Sequence, residues 1–178
     1  MADDMVSENT SKVTSRFSMI GRTVLIAGSA GVLGRQHAAA LLEVGASAVL
    51  TDIDGLGAAR GELEDSFGDA EIRTILMDVT DIESIREVAD NLGGEGVGVD
   101  ALVNNAALDT KVGGDGLTEG SRLEEFSVKQ GDDDLAVGLT GAFLCSQAFD
   151  ARMAAESGGG IFNVASNLSV LAPDQRRW

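Results

Sequence analysis

Short apolar runs alternate along the chain with segments whose spacing reads as helical. Val24-Leu25-Ile26-Ala27 is continuous apolar sequence, as in a strand buried on both faces. A glycine-rich turn follows, and residues 33–44, rich in Ala and Leu, predict a helix ending at Gly45. Ala48-Val49-Leu50-Thr51 predicts a second strand, residues 54–67 a polar helix, and residues 72–77 a third strand. Asp81 is placed to cap a helix that reaches about Leu92. Residues 99–103 predict a fourth strand that ends at Asn104-Asn105-Ala106-Ala107. Residues 108–122 are glycine-rich and irregular, long enough to suggest a functional loop. A long helix is expected over 127–155 and a fifth strand over 160–164. Such alternation demands a parallel sheet covered by helices on both faces. The expected fold class is therefore α/β, doubly wound, with about five strands.

Length and composition narrow this further. A chain of 178 residues, 44% hydrophobic, suits one α/β domain with a single core. Twenty-three glycines against one proline favour tight strand-to-helix turns over a proline-rich linker. The formal charge of −16 argues against nucleic acid or an anionic membrane as a partner, because phosphate surfaces require Lys and Arg clusters. Cys145 and His37 are single, which leaves no disulfide and no multi-histidine or cysteine-rich metal centre within the chain. No apolar run approaches the ~20 residues of a membrane span. Residues 1–17 are polar and Ser/Thr-rich without a signal-like stretch, so they read as a flexible arm on a cytoplasmic protein, with residues 18–178 forming the domain.

The first turn carries the candidate chemistry. Gly28, Gly31 and Gly34, with Ser29, Val32 and Leu33 between them, give Gly-x-x-Gly-x-x-Gly between the first strand and its helix. Small residues are needed there because the turn is tight, the backbone must approach a pyrophosphate and the helix must pack on the strand. The helix N-terminus then offers free N–H groups and a partial positive charge, so a dinucleotide needs little basic side-chain charge. Glycines also simply make turns, but the position after the first strand favours the binding role. Asp52, followed by Ile53, ends the second strand 18 positions beyond Gly34. A carboxylate there accepts hydrogen bonds from ribose hydroxyls and repels a 2′-phosphate, which favours NAD over NADP. Asp54 competes for that role, although it is better placed to cap the next helix.

Together these features define a Rossmann-type pattern that resembles the short-chain dehydrogenase/reductase family from Met19 to the end of the chain. The family's Asn-Asn-Ala-Gly after strand four appears as Asn104-Asn105-Ala106-Ala107. The resemblance implies that Asn104 buttresses the sheet and that Asn105, Ala106 and Ala107 line the cofactor site. It assigns Asp78 and Val79 to the adenine and Ser166 to the catalytic serine that steadies a substrate oxygen. Further likeness is to a subgroup associated with flagellin modification and acidic-sugar biosynthesis, in the stretches 138–147 and 172–175. The strand order 3-2-1-4-5, a small-molecule substrate, an NAD cofactor and, for a full-length chain, a homo-oligomer are what the resemblance implies.

Departures from the family pattern are as telling. Val32 stands where the main branch has the middle glycine, and Ala27 replaces a Thr whose hydroxyl would brace the turn. Gly138 stands where an Asn usually holds a water of the proton relay. The family's Tyr-x-x-x-Lys element follows strand five, yet the chain has no tyrosine, and Lys12, Lys111 and Lys129 all precede Ser166. Hydride transfer at a carbinol or carbonyl needs a proton donor or acceptor at the oxygen. The chain therefore reads as truncated at its C-terminus, lacking the last two family strands, and is expected not to turn over as it stands.

Smaller signals change little. His37 and Cys145 read as packing residues and Asp132-Asp133-Asp134 as a solvated helix start, since consecutive helix residues diverge around the axis. Asp109 and Lys111 are equally suited to bind substrate or to sit on the surface, and Arg176-Arg177-Trp178 to begin a substrate lid or to fray. Three functions remain open: an NAD-dependent oxidoreductase for a polar, sugar-like alcohol or carbonyl; a non-catalytic nucleotide-binding protein or pseudoenzyme; and a methyltransferase sharing only the fold.

Overall fold

A computed structural model describes residues 15–108, 126–155 and 158–166. Its strands are β1 (Thr23–Ala27), β2 (Ser47–Asp52), β3 (Ile72–Leu76), β4 (Ala101–Asn104) and β5 (Gly160–Asn163), and its first three helices are α1 (Val32–Glu43), α2 (Leu56–Phe67) and α3 (Ile82–Gly94). The five strands form one sheet in the order β3-β2-β1-β4-β5, parallel throughout. The fold class is that expected from the alternation, and the strand order is that implied by the family resemblance. The order reverses at β1, with β2 on one side and β4 on the other, which opens a crevice at the C-terminal ends of these strands. Residues 1–14, the loop positions Asp109 and Lys111, and Arg176-Arg177-Trp178 lie outside the described residues.

The unbroken apolar run of β1 has its cause in two cores. Val24 and Ile26 face one side, with Leu42 of α1 and Leu63 of α2, while Leu25 and Ala27 face the other, with Ile85 and Leu92 of α3. A strand buried on both faces has no polar positions to spare. At the N-terminal edge Asp100 ties the layers together. Its carboxylate accepts from Arg22 Nη1 at 2.6 Å and Thr23 N at 2.8 Å, and its carbonyl accepts from Gly160 N at 3.0 Å.

Helix ends follow local chemistry, with two corrections. Asp81 caps α3 through Glu83 N as expected, and Gly45 sits at φ 90° just past α1, where a side chain would be strained. Asp54, in contrast, does not cap α2: Gly55, at φ 70°, holds the N-cap position without any side-chain bond. The long helix runs unbroken over 128–155, as expected, but is not α-helical throughout. It divides into α4 (Val128–Leu135), a π-helical segment over Ala136–Gly141 and α5 (Ala142–Ala155). Gly138 and Gly141 weaken the helix there, and a Cβ at Gly141 would lie 2.9 Å from Val79 Cγ2, so the helix presses on the chain leaving β3. Ser127 caps α4 in a reciprocal box with Gln130.

Cys145 of α5 is fully buried, and desolvation pushes its thiol up from 9.0 to about 12. In the unfolded chain the thiol ionises near its ordinary value. Its contribution to stability is therefore fully present below pH 9.0 and is lost as pH rises toward 12. Melting curves of Cys145→Ala and the parent should converge as pH rises above 9, and a thiol reagent should label the native protein only when it unfolds. Rapid native labelling would contradict that burial.

Candidate functional site

The glycine turn leaves β1 at the C-terminal edge of the sheet. Gly28 has φ 74°, and a Cβ there would lie 2.6 Å from Ala106 Cα, so the turn packs directly on the chain leaving β4. At Gly34 a Cβ would run into the Gly28 carbonyl oxygen and lie 2.6 Å from Ser29 Cα, which lets α1 seat against the turn only without a side chain. Gly31 differs. Its backbone is extended, and the one protein atom near a built Cβ is Gly28 O at 3.5 Å, an ordinary contact. Among the described residues nothing demands a glycine there; what the missing side chain leaves is open space beside the first turn of α1.

That first turn carries no side-chain cap and no acidic residue. An uncapped helix start leaves amides without intrahelical partners, with the positive end of the helix dipole beside them. Val32 and Leu33 at this helix start are exposed, at 75% and 59%. Small space and free donors together fit a diphosphate.

Several bonds hold the turn. The Thr51 carbonyl accepts from Gly28 N at 2.9 Å, Ser29 N at 3.1 Å and Ser29 Oγ at 3.2 Å, while Thr51 Oγ1 donates to Ile26 O at 3.0 Å. Ser29 is wholly buried, and its hydroxyl is engaged within the turn. Asp52 Oδ2 accepts from Ala30 N at 3.0 Å and Oδ1 from Ile53 N at 2.8 Å. A carboxylate has about four acceptor positions, so these two bonds orient Asp52 and leave capacity for hydroxyl donors. Ile53 follows it, 66% exposed.

Asp78 Oδ1 accepts from Thr80 N at 2.8 Å and Thr80 Oγ1 at 2.7 Å, while Asp78 N donates to Ser84 Oγ. Val79 turns its side chain into the core against Gly141, which leaves its backbone toward the strand ends.

The paired asparagines after β4 face opposite tasks. Asn104, 7% exposed, donates from Nδ2 to Asn163 Oδ1 at 2.8 Å and Ser146 Oγ at 3.1 Å, joining β4 to β5 and to α5. Asn105 Nδ2 reaches back to Gly28 O at 2.8 Å. Ala106 meets Gly28 from below, and Ala107 is exposed beside it. Asn104→Ala should cost roughly 1–2 kcal/mol, because it removes the part-buried hydrogen bonds that join β4 to β5 and α5. Urea unfolding would show it as a lower midpoint with unchanged slope; an unchanged midpoint would contradict the network.

Ser166 is exposed, three positions beyond the end of β5. Thr51, Ala30 and the Asn105 side chain were not singled out from the sequence. A threonine buried among apolar strand residues is the one signal that pointed to the first. Between α3 and α5 lies a separate cavity of about 400 Å³, lined in part by Arg86, Asp90, Gln147 and Arg152, and sharing no residue with the turn. Among the described residues, no helix is long and apolar enough to cross a membrane.

Residues 22–175 match the short chain dehydrogenase family, and the chain belongs to it. A D-threitol dehydrogenase of Mycolicibacterium smegmatis is 31% identical over 159 residues, which are 89% of this chain and 58% of that protein. The chain thus spans about three-fifths of the length of such relatives. An NAD+-bound xylitol dehydrogenase superposes with a TM-score of 0.75 at 25% identity, over 87% of this chain and 56% of the other. A gluconate 5-dehydrogenase from Burkholderia cenocepacia, in complex with NADP and tartrate, gives 0.75 at 28% identity, over 90% and 60%.

Proposed function

We propose that the chain is the dinucleotide-binding part of an NAD-dependent oxidoreductase for an alcohol or carbonyl on a polar, sugar-like small molecule. The observation that carries this is the uncapped start of α1 beside the open side of Gly31, with the Asp52 carboxylate held at the next strand end. The amides of Val32, Leu33 and Gly34 would hold the diphosphate, and the free acceptor positions of Asp52 the adenosine ribose. Arg35 is committed to Glu62, donating to both its carboxylate oxygens at 2.8 and 2.9 Å, which supports NAD over a 2′-phosphorylated cofactor. When bound, the nicotinamide supplies a two-electron hydride acceptor or donor. Backbone groups of Asn105, Ala106 and Ala107 would line its path, with Asp78 and the Val79 backbone at the adenine. Ser166 would orient the substrate oxygen. The named polyol and sugar-acid enzymes among the relatives support the substrate class.

A serine does not exchange the substrate proton effectively, and the 178 residues hold no tyrosine. Assayed as these residues alone, the chain should bind NADH, enhancing its fluorescence, yet show no absorbance change at 340 nm with NAD and threitol, xylitol or gluconate. Unaltered NADH fluorescence at millimolar protein would contradict the binding role, and steady turnover would contradict the need for a proton donor other than Ser166.

A further inference from the structure

We infer that the side chain of Asn105 is a positioning residue for the diphosphate, acting through the Gly28 carbonyl; the inference rests on the dinucleotide reading of the turn. The Gly28 carbonyl lies at the centre of the turn. The Cβ positions of Gly34 and Gly31 both come closest to its oxygen, which places it against the first turn of α1. A carbonyl oxygen beside unpaired helix amides is a natural acceptor for them, and any amide it captured would be lost to an anion. Asn105 fills one of that oxygen's two acceptor positions and fixes its direction. Its Nδ2 donates to Gly28 O at 2.8 Å, and its backbone N donates to Ala27 O at 3.3 Å, so both carbonyls flanking the strand end are fixed from the β4 side. Ala106 supplies the wall: its Cα and N lie 2.6 and 2.8 Å from where a Gly28 side chain would begin, so the turn has no room to rotate away from Asn105. Ala27, fully buried, has no polar side chain to share the task, and Ser29 and Asp52 brace the neighbouring peptide groups instead.

The separating experiment compares ligands that do and do not carry the diphosphate. Asn105→Leu keeps the bulk and removes the donor; Asn105→Ala removes both, so a packing defect in one variant is controlled by the other. Calorimetric titration of the whole chain with ADP-ribose and with adenosine gives the ratio of the two affinities. Losing one hydrogen bond that preorganises the site should weaken ADP-ribose about tenfold in each folded variant and leave adenosine within about twofold. Equal weakening of both ligands would mean that Asn105 merely supports the fold and would overturn the inference, as would wild-type affinity for ADP-ribose in either variant. If the parent chain binds neither ligand, the dinucleotide reading itself fails and takes the inference with it.

Discussion

Gly31→Ala should leave the chain folded and abolish most of its dinucleotide binding, whereas Gly34→Ala should destabilise the fold itself. The two glycines belong to one motif but face different obstacles. A methyl group at Gly34 would overlap the backbone of Gly28 and Ser29, which cannot move without lifting α1 from the sheet. Forcing atoms into packed backbone costs about 3 kcal/mol or more. For a chain of this size that lowers Tm by roughly 6–12 °C. A methyl group at Gly31 meets nothing closer than 3.5 Å, and the φ of −69° is open to any residue. Its cost is that of a poorer N-cap, under about 1 kcal/mol. The methyl would instead occupy the space through which a diphosphate reaches the α1 amides. Thermal melts with and without NADH separate the cases. Ligand stabilisation retained in Gly31→Ala would show that the open side of Gly31 is not the diphosphate seat.

Asp52→Ala should lower NAD affinity by about ten- to a hundredfold, the range expected for losing hydrogen bonds to a charged acceptor. Part of the loss arises inside the protein, since Ala30 N would lose the 3.0 Å bond to Oδ2 that shapes the turn. Asp52→Asn distinguishes the contributions. It removes the negative charge that repels a 2′-phosphate, so NADP affinity should rise relative to NAD even as both fall. Competition titrations with the two dinucleotides measure this, and an NAD/NADP ratio unchanged by Asp52→Asn would remove Asp52 from the ribose site.

Much of this architecture was legible in the residues. The continuous apolar run of β1 and the strand–helix alternation carried the parallel sheet, and the glycine spacing located the turn. What was not legible had tertiary causes. The π-helical segment arises where Gly141 meets Val79, a contact between positions 62 residues apart in sequence. Asp54 lost the capping role because Gly55 takes a left-handed backbone at the start of α2. Ser29 and Val79 lie at binding positions of the motif, yet their side chains turn inward, a choice fixed by Thr51 in one case and by Gly141 in the other. The missing Thr hydroxyl at Ala27 pointed to a weak turn. A bond to the turn comes from Asn105, 77 positions from Gly28, and no local spacing encodes it.

The most direct test is a crystal of the chain soaked with NAD. The diphosphate should lie on the amides of Val32–Gly34, and both ribose hydroxyls of the adenosine half should lie within hydrogen-bond distance of Asp52. Dinucleotide density in the groove between α3 and α5, with the Gly31 side of the turn bare, would contradict the account.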